Sequence, residues 1–116
     1  MKRFFLAFLF FYVTSIVSSQ TVSIDSLHLY EGKKVTVCTE VKGIYVSNKT
    51  KKTTFINFGK PYPNEKFVVV IFEKDLVNFS YDIPTHLKDK TVCVTGIVKM
   101  YKGKPEIIAT KEEEIV

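Results

Sequence analysis

Arginine is almost absent from this chain. The only one is Arg3, beside Lys2 at the start. Arginine carries the planar fork that grips phosphates and guanine edges with two bonds at once, so its scarcity argues against sequence-specific readout of duplex DNA. Tryptophan is missing altogether. Histidine occurs only as His28 and His86, neither with a partner at the spacing of a metal or catalytic motif, and no H-x-x-x-H, G-x-S-x-G or phosphate-binding glycine loop is present. Cysteine is limited to Cys38 and Cys93, too far apart for C-x-x-C, which leaves the usual zinc and redox frameworks without support. The residues therefore point away from an enzyme, and no metal or cofactor is expected.

Long apolar runs are also lacking. The longest, Phe4 to Val13, falls short of the roughly 20 residues that span a bilayer. It follows Lys2 and Arg3 and leads into Val17-Ser18-Ser19, the three-part layout of a secretory leader with small residues before the cut. An uncleaved anchor is the bland alternative. The expectation is a leader over residues 1–19 and an exported domain over 20–116, periplasmic or secreted, monomeric and with no membrane insertion once the leader is gone. That domain has 97 residues, with 15 lysines against 12 acids. Such a chain buries roughly 60–65% of its unfolded surface in one modest core. In an exported chain an even cysteine count permits a disulfide, with two buried thiols as the other reading.

Beyond Gln20 the pattern is almost wholly β. In "KKVTVCTEVKGIYVS", Val35, Val37, Thr39 and Val41 alternate with Thr36, Cys38 and Glu40, the period of a half-buried strand. The polar loop "NKTKK" precedes a second strand, "TTFINF", and the turn formers of "GKPYPNE" precede a third, "KFVVVIF". In "EKDLVNF", Leu76, Val77 and Phe79 have the spacing of a short helix, which Pro84 is expected to end. "TVCVTGIVKMY" and "EIIA" read as the last two strands, joined by a tight turn at Gly103. "TKEEEIV" reads as a charged tail, with Glu112, Glu113 and Glu114 solvated.

Three strands, a short helix and two strands are the order of a small five-stranded Greek-key barrel of the oligonucleotide/oligosaccharide-binding (OB) type, with its helix between strands three and four. An SH3-like barrel offers no place for the 75–79 segment. Gly43 and Gly96 fall inside strand patterns, where glycine marks a bulge or bend. The stretches "GKKVTVCTEVKGIY", "TTFINFGKPYPNEKFVVVIF" and "DKTVCVTGIVKMYKGKPEII" resemble single-domain exported bacterial proteins with an OB-like nucleic-acid-binding domain, over most of Gly32 to Ile108. One departure is Glu40, which stands where such domains usually have a strand glycine. In a barrel of this type the first and fourth strands are antiparallel neighbours. Cys38 and Cys93 would then lie on the same outer side, within reach of a cross-strand disulfide.

Ligands of OB barrels lie across strands two and three, between the loop joining strands one and two and the loop joining four and five. Here those loops contribute Lys49, Lys51 and Lys52, and Lys99, Lys102 and Lys104. In "TFINF", Ile56 and Phe58 form the core set, leaving Phe55 and Asn57 outward. Tyr62, between Pro61 and Pro63, reads as a packing corner. Tyr45, Phe55 and Tyr101 are the rings available for stacking, with Asn57 beside them. Lysines flanking aromatic rings are the recipe for single-stranded nucleic acid, and four phosphate contacts would give a log–log salt slope of about −3. The expected function is low-specificity binding of single-stranded DNA or RNA. The other reading is an exported adaptor for a protein, a saccharide or a small envelope ligand. A secreted nuclease on this scaffold would need a carboxylate cluster and arginines; the exported domain has no arginine and no acidic cluster except Glu112, Glu113 and Glu114 of the tail. Asn48-Lys49-Thr50 and Asn78-Phe79-Ser80 match the N-glycosylation pattern.

Overall fold

A computed structural model describes residues 20–49 and 52–116. The leader expected over 1–19, and Lys51 of the lysine loop, lie outside the described residues. Seven strands are formed: β1 (Gln20–Val22), β2 (Lys34–Val46), β3 (Thr54–Phe58), β4 (Phe67–Ile71), β5 (Thr91–Ile97), β6 (Lys99–Tyr101) and β7 (Lys104–Ile108).

Strand β2 organises the rest. Val35, Val37 and Val41 point inward and are buried, while Lys34, Cys38, Glu40 and Lys42 face out. Its first half pairs antiparallel with β5, from Lys34↔Ile97 to Glu40↔Thr91, and in parallel with β1 at Val35–Val37. Its second half pairs with β3, and the register shifts between Val41 and Gly43. An extra residue in one strand bends it and increases its twist. The bend therefore comes at Lys42, just after Glu40, where no glycine is needed.

The sheet order is β1-β2-β3-β4-β7-β6, with β5 on the other side of β2. The expected five-stranded count is not met, while the mostly-β OB-type architecture holds. The anticipated fourth strand is split at Val98, whose N–H bonds Lys33 C=O (3.1 Å) and whose C=O accepts from Gly32 N–H (2.7 Å). With those groups turned aside, β5 serves β2 and β6 serves β7, and no hydrogen-bonded ladder closes the sheet. The short β1 and the 3-10 helix Ile24–Tyr30, which buries Leu27, are additions without a clear periodic signal.

The helical connection also differs. Glu73–Asn78 is 3-10, and a separate helix α1 spans Ile83–Leu87. Pro84 opens this helix instead of ending one. In the first turn its missing N–H forfeits no bond, and the Asp82 carboxylate caps the helix by accepting from Thr85 N–H (3.2 Å).

Ile56, Phe58, Phe67, Val69, Ile71, Val94 and Ile107 fill the core, with Phe58 and Phe67 stacked at 5.2 Å. Gly96 lies where a Cβ would meet Ile107 Cγ2 at 2.5 Å, so β5 and β7 approach closely only because no side chain is there. Cys38 and Cys93 face each other across β2 and β5 and form a disulfide, with Cα atoms 3.9 Å apart. Cys93 turns its N–H and C=O to Val116 (2.6 and 3.0 Å). It is thus the non-hydrogen-bonded kind of cross-strand pair, in which the backbones come closer.

The acidic triplet is not a solvated tail. Glu112–Glu114 forms a 3-10 turn, Glu112 Oε1 accepts from Ser80 N–H (2.6 Å) and Glu114 Oε1 from Thr110 N–H (2.7 Å). Ile115 is buried and bridges Val94. The bonds from Ser80, main chain first and side chain second, hold the Glu112 carboxyl below its ordinary value, and His86 adds a weaker attraction.

Reducing the disulfide is expected to lower stability by about 2–4 kcal/mol, a fall of about 10–20 °C in Tm for a domain of this size. Calorimetry with and without reductant measures it. A second outcome follows from Glu112. Because its folded pKa is depressed, its contribution is whole above the ordinary carboxylate value of about 4.5 and lost as pH falls through the lower folded value. Glu112→Gln should therefore lower Tm at pH 7, and the loss should shrink steadily as pH is lowered below about 4.5; a loss independent of pH would remove the charge from the explanation.

Candidate ligand-binding groove

The registers define the outer face of the sheet. Gly43 pairs with Asn57, Asn57 with Val68, Val68 with Glu106 and Glu106 with Lys99, one lateral row across β2, β3, β4, β7 and β6. Beside it runs a second row that begins with Tyr45 and Phe55. Inward positions of β3, Ile56 and Phe58, are fully buried, as alternation requires.

Two turns raise walls around this face. Between β6 and β7, Lys102 (φ 52°) and Gly103 (φ 81°) make a two-residue turn with both φ values positive, the geometry that suits the twist of a hairpin. It holds Tyr101 and Lys102 up beside the sheet. Between β3 and β4, Asn64 N–H bonds Pro61 C=O (2.9 Å), and the turn presents Tyr62. Gly59 (φ 88°) enters that connection with Lys66 Cβ only 3.0 Å from where its own Cβ would be. The result is an open groove of about 930 Å³ between the two turns.

Four aromatic rings line it. Tyr45, Tyr62 and Tyr101 are 57, 74 and 53% exposed, unusual for rings of this size, and Phe55 lies half-buried against Tyr45 with centroids 6.2 Å apart and planes at 24°. Asn57 is on the floor, and Gly43 next to it leaves the space above its amide uncovered.

The charges are less free than the sequence reading assumes. Lys104 lines the groove but is held by Glu65 Oε2 (3.1 Å) and donates to Pro63 C=O (3.1 Å). Lys99 stands at the end of the floor row, 3.8 Å from Glu106 Oε1. Lys102 lines the rim, with its ammonium 5.4 Å from the centre of the Tyr101 ring. Lys49 and Lys52 are exposed on the β2–β3 loop, outside the groove lining.

The groove thus brings together six of the sequence candidates: Tyr45, Phe55, Asn57, Tyr101, Lys102 and Lys104. Tyr62, set aside as a packing corner, stands in the wall, and Glu65 and Glu106 escaped notice. Alternation could have found Glu106, since Ile107 beside it is inward and Glu106 must face out. Nothing local could have found Glu65, which is buried by the turn on which it sits.

The fold has counterparts among solved structures. The chain has an OB fold. It is similar to OBody AM1L10 bound to hen egg-white lysozyme (TM-score 0.58, 17% identity, 88% of this chain and 94% of that one). It is similar also to a chain of the yeast Stn1 and Ten1 structure (TM-score 0.59, 11% identity, 89% of this chain) and to the aspartyl tRNA synthetase of Entamoeba histolytica (0.54, 15%, 83%). It spans 64% of the Stn1/Ten1 chain and 21% of the synthetase. No protein-family model and no curated protein matches the sequence. Among the described residues no helix is long and apolar enough to cross a membrane.

Glu65 explains why Lys104 belongs to the scaffold. Its side chain is 7% exposed, and among the described residues its buried Oε1 has no hydrogen-bond partner. Lys104→Ala strands this carboxylate and is expected to cost about 1–3 kcal/mol, the lysine's own partial exposure keeping the loss below that of a fully buried pair. Adding Glu65→Met should recover most of it. Urea denaturation of both variants measures the difference.

Proposed function

We propose that this protein is an exported OB-fold binding module that holds single-stranded nucleic acid in the groove, without catalysis. The observation that carries the reading is the set of four aromatic rings along one open groove on the outer face of β2 and β3. Exposed rings in sequence along a channel suit a flexible strand whose bases stack in turn, each adding about 1–3 kcal/mol. Lys102 at the rim and Lys49 and Lys52 at the β2–β3 loop supply charge for the phosphates, outside the groove floor. A structural neighbour named for tRNA shows that this fold occurs in a protein that acts on RNA. The Cys38–Cys93 disulfide fits an oxidising compartment and so supports export.

A second reading, an adaptor for a protein or a saccharide, draws on the carboxylates. Glu65 and Glu106 hold Lys104 and Lys99, which leaves the interior of the groove near neutral. A neighbour with the same fold is bound to lysozyme.

Fluorescence anisotropy with labelled single-stranded DNA and RNA separates the two. Nucleic-acid binding should be micromolar at low salt, with a log–log salt slope of about −2, because three lysines instead of four are free to meet phosphates. Phe55→Ala should weaken it about 5- to 150-fold. Absence of binding at low salt would remove nucleic acid as the ligand and leave the adaptor.

A further inference from the structure

The floor of the groove carries more chemistry than stacking needs. Asn57 is only 6% exposed and lines the floor; among the described residues its carboxamide makes no hydrogen bond, and the one fully buried side-chain polar atom left unpaired is Glu65 Oε1, so the amide keeps its contact with solvent in the groove. The amide is not sealed in, because Gly43, its neighbour on β2, has no side chain; even a Cβ there would come no nearer than 3.8 Å to Asn57 Nδ2. Two strands away on the same row stands Glu106, its side chain 13% exposed and its one cation among the described residues, Lys99, at a long 3.8 Å. Val68 lies between them as an apolar strip of floor. Strand spacing puts the two backbones about 10 Å apart.

We propose that Asn57 and Glu106 read the edge of a base held in this groove, and that bases bearing an exocyclic amine are bound in preference to thymine or uracil. This rests on the reading of the groove as a nucleic-acid site. The chemistry decides the direction. An ionised carboxylate only accepts hydrogen bonds, whereas an amide both donates and accepts. Cytosine presents the N4 amine, a donor, where thymine presents the O4 carbonyl, an acceptor. Asn57 can turn its amide to suit either base. Glu106 cannot: it accepts from the amine and repels the carbonyl. Adenine and guanine also carry amines, so thymine and uracil are the bases disfavoured. Stacking alone makes the opposite or a neutral prediction, because its modest preferences follow ring overlap and backbone flexibility.

The test compares deoxycytidine and thymidine homopolymers of equal length, by anisotropy, at neutral pH and low salt. Ring size is the same; at the base edge the exocyclic group and the N3 proton change, and because thymine also adds a C5 methyl, a deoxyuridine strand is measured beside it. The protein should hold the deoxycytidine strand about 5- to 100-fold more tightly. Glu106→Gln, on the outer face of β7, should collapse that ratio to about one, since its amide can donate to the carbonyl. Asn57→Leu, of similar volume, should weaken deoxycytidine binding and narrow the ratio. Equal affinities in the unaltered protein, or tighter binding of thymidine, would overturn the proposal while leaving the groove a stacking site. A preference that survives Glu106→Gln would overturn the role of the carboxylate. If neither strand binds at all, the nucleic-acid reading itself falls, and this proposal with it.

Discussion

The change of partners along β2 is the constraint on which the groove depends. One strand of 13 residues is shared between two ladders, β5 along its first half and β3 along its second, and the shift between Val41 and Gly43 turns it from one to the other. Without that extra residue, strict alternation would set Tyr45 in phase with Val35, Val37 and Val41 and turn it toward the core instead of beside Phe55. The disulfide pins the first half to β5 at Cys38–Cys93, and the last residues of the chain bind the far side of Cys93. The second half is left to carry one wall of a groove. Gly43 therefore does two things: it follows the bulge, and it keeps the floor beside Asn57 open.

The electrostatics of the groove come from pairing and not from composition. Counting lysines in the flanking loops overstates the free positive charge, because Glu65 and Glu106 each hold one of them. What remains is arranged by depth. Carboxylates and an amide lie on or under the floor, rings form the walls, and unpaired ammonium groups stand at the rim and beyond. A phosphodiester chain suits such a gradient, with its charge outside and its bases inside. An extended polyanion lying along the floor does not.

Much of the fold was legible locally. Alternation in 35–41 and 54–58 identified the inward sets, and Ile56 and Phe58 are fully buried as read. The outward positions of Phe55 and Asn57 followed from the same alternation, as did the shared side of the two cysteines once their strands were paired. Three things were not legible. Pro84 looked like a stop because its position within a helix depends on where Asp82 caps it. The strand through Val98 looked continuous because only pairing with Gly32 and Lys33 divides it. Glu112 looked solvated because its partner, Ser80, lies 32 residues away in sequence, whereas the bond from Thr110 N–H to Glu114 is local and was simply not read.

The sequence by itself determined the inward and outward sides of 35–41 and 54–58 and the turn at Gly103, because these depend on residues two to four apart. Tertiary structure alone decided which outward residues meet. Asn57, Val68, Glu106 and Lys99 form one row only because β3, β4, β7 and β6 pair in that order. Tyr62 stands in the wall of an open groove instead of packing into a corner only because the hairpin carrying Tyr101 stands opposite it. Sequence separation hides such neighbours, since their proximity is created by hydrogen bonds between segments and by no local pattern.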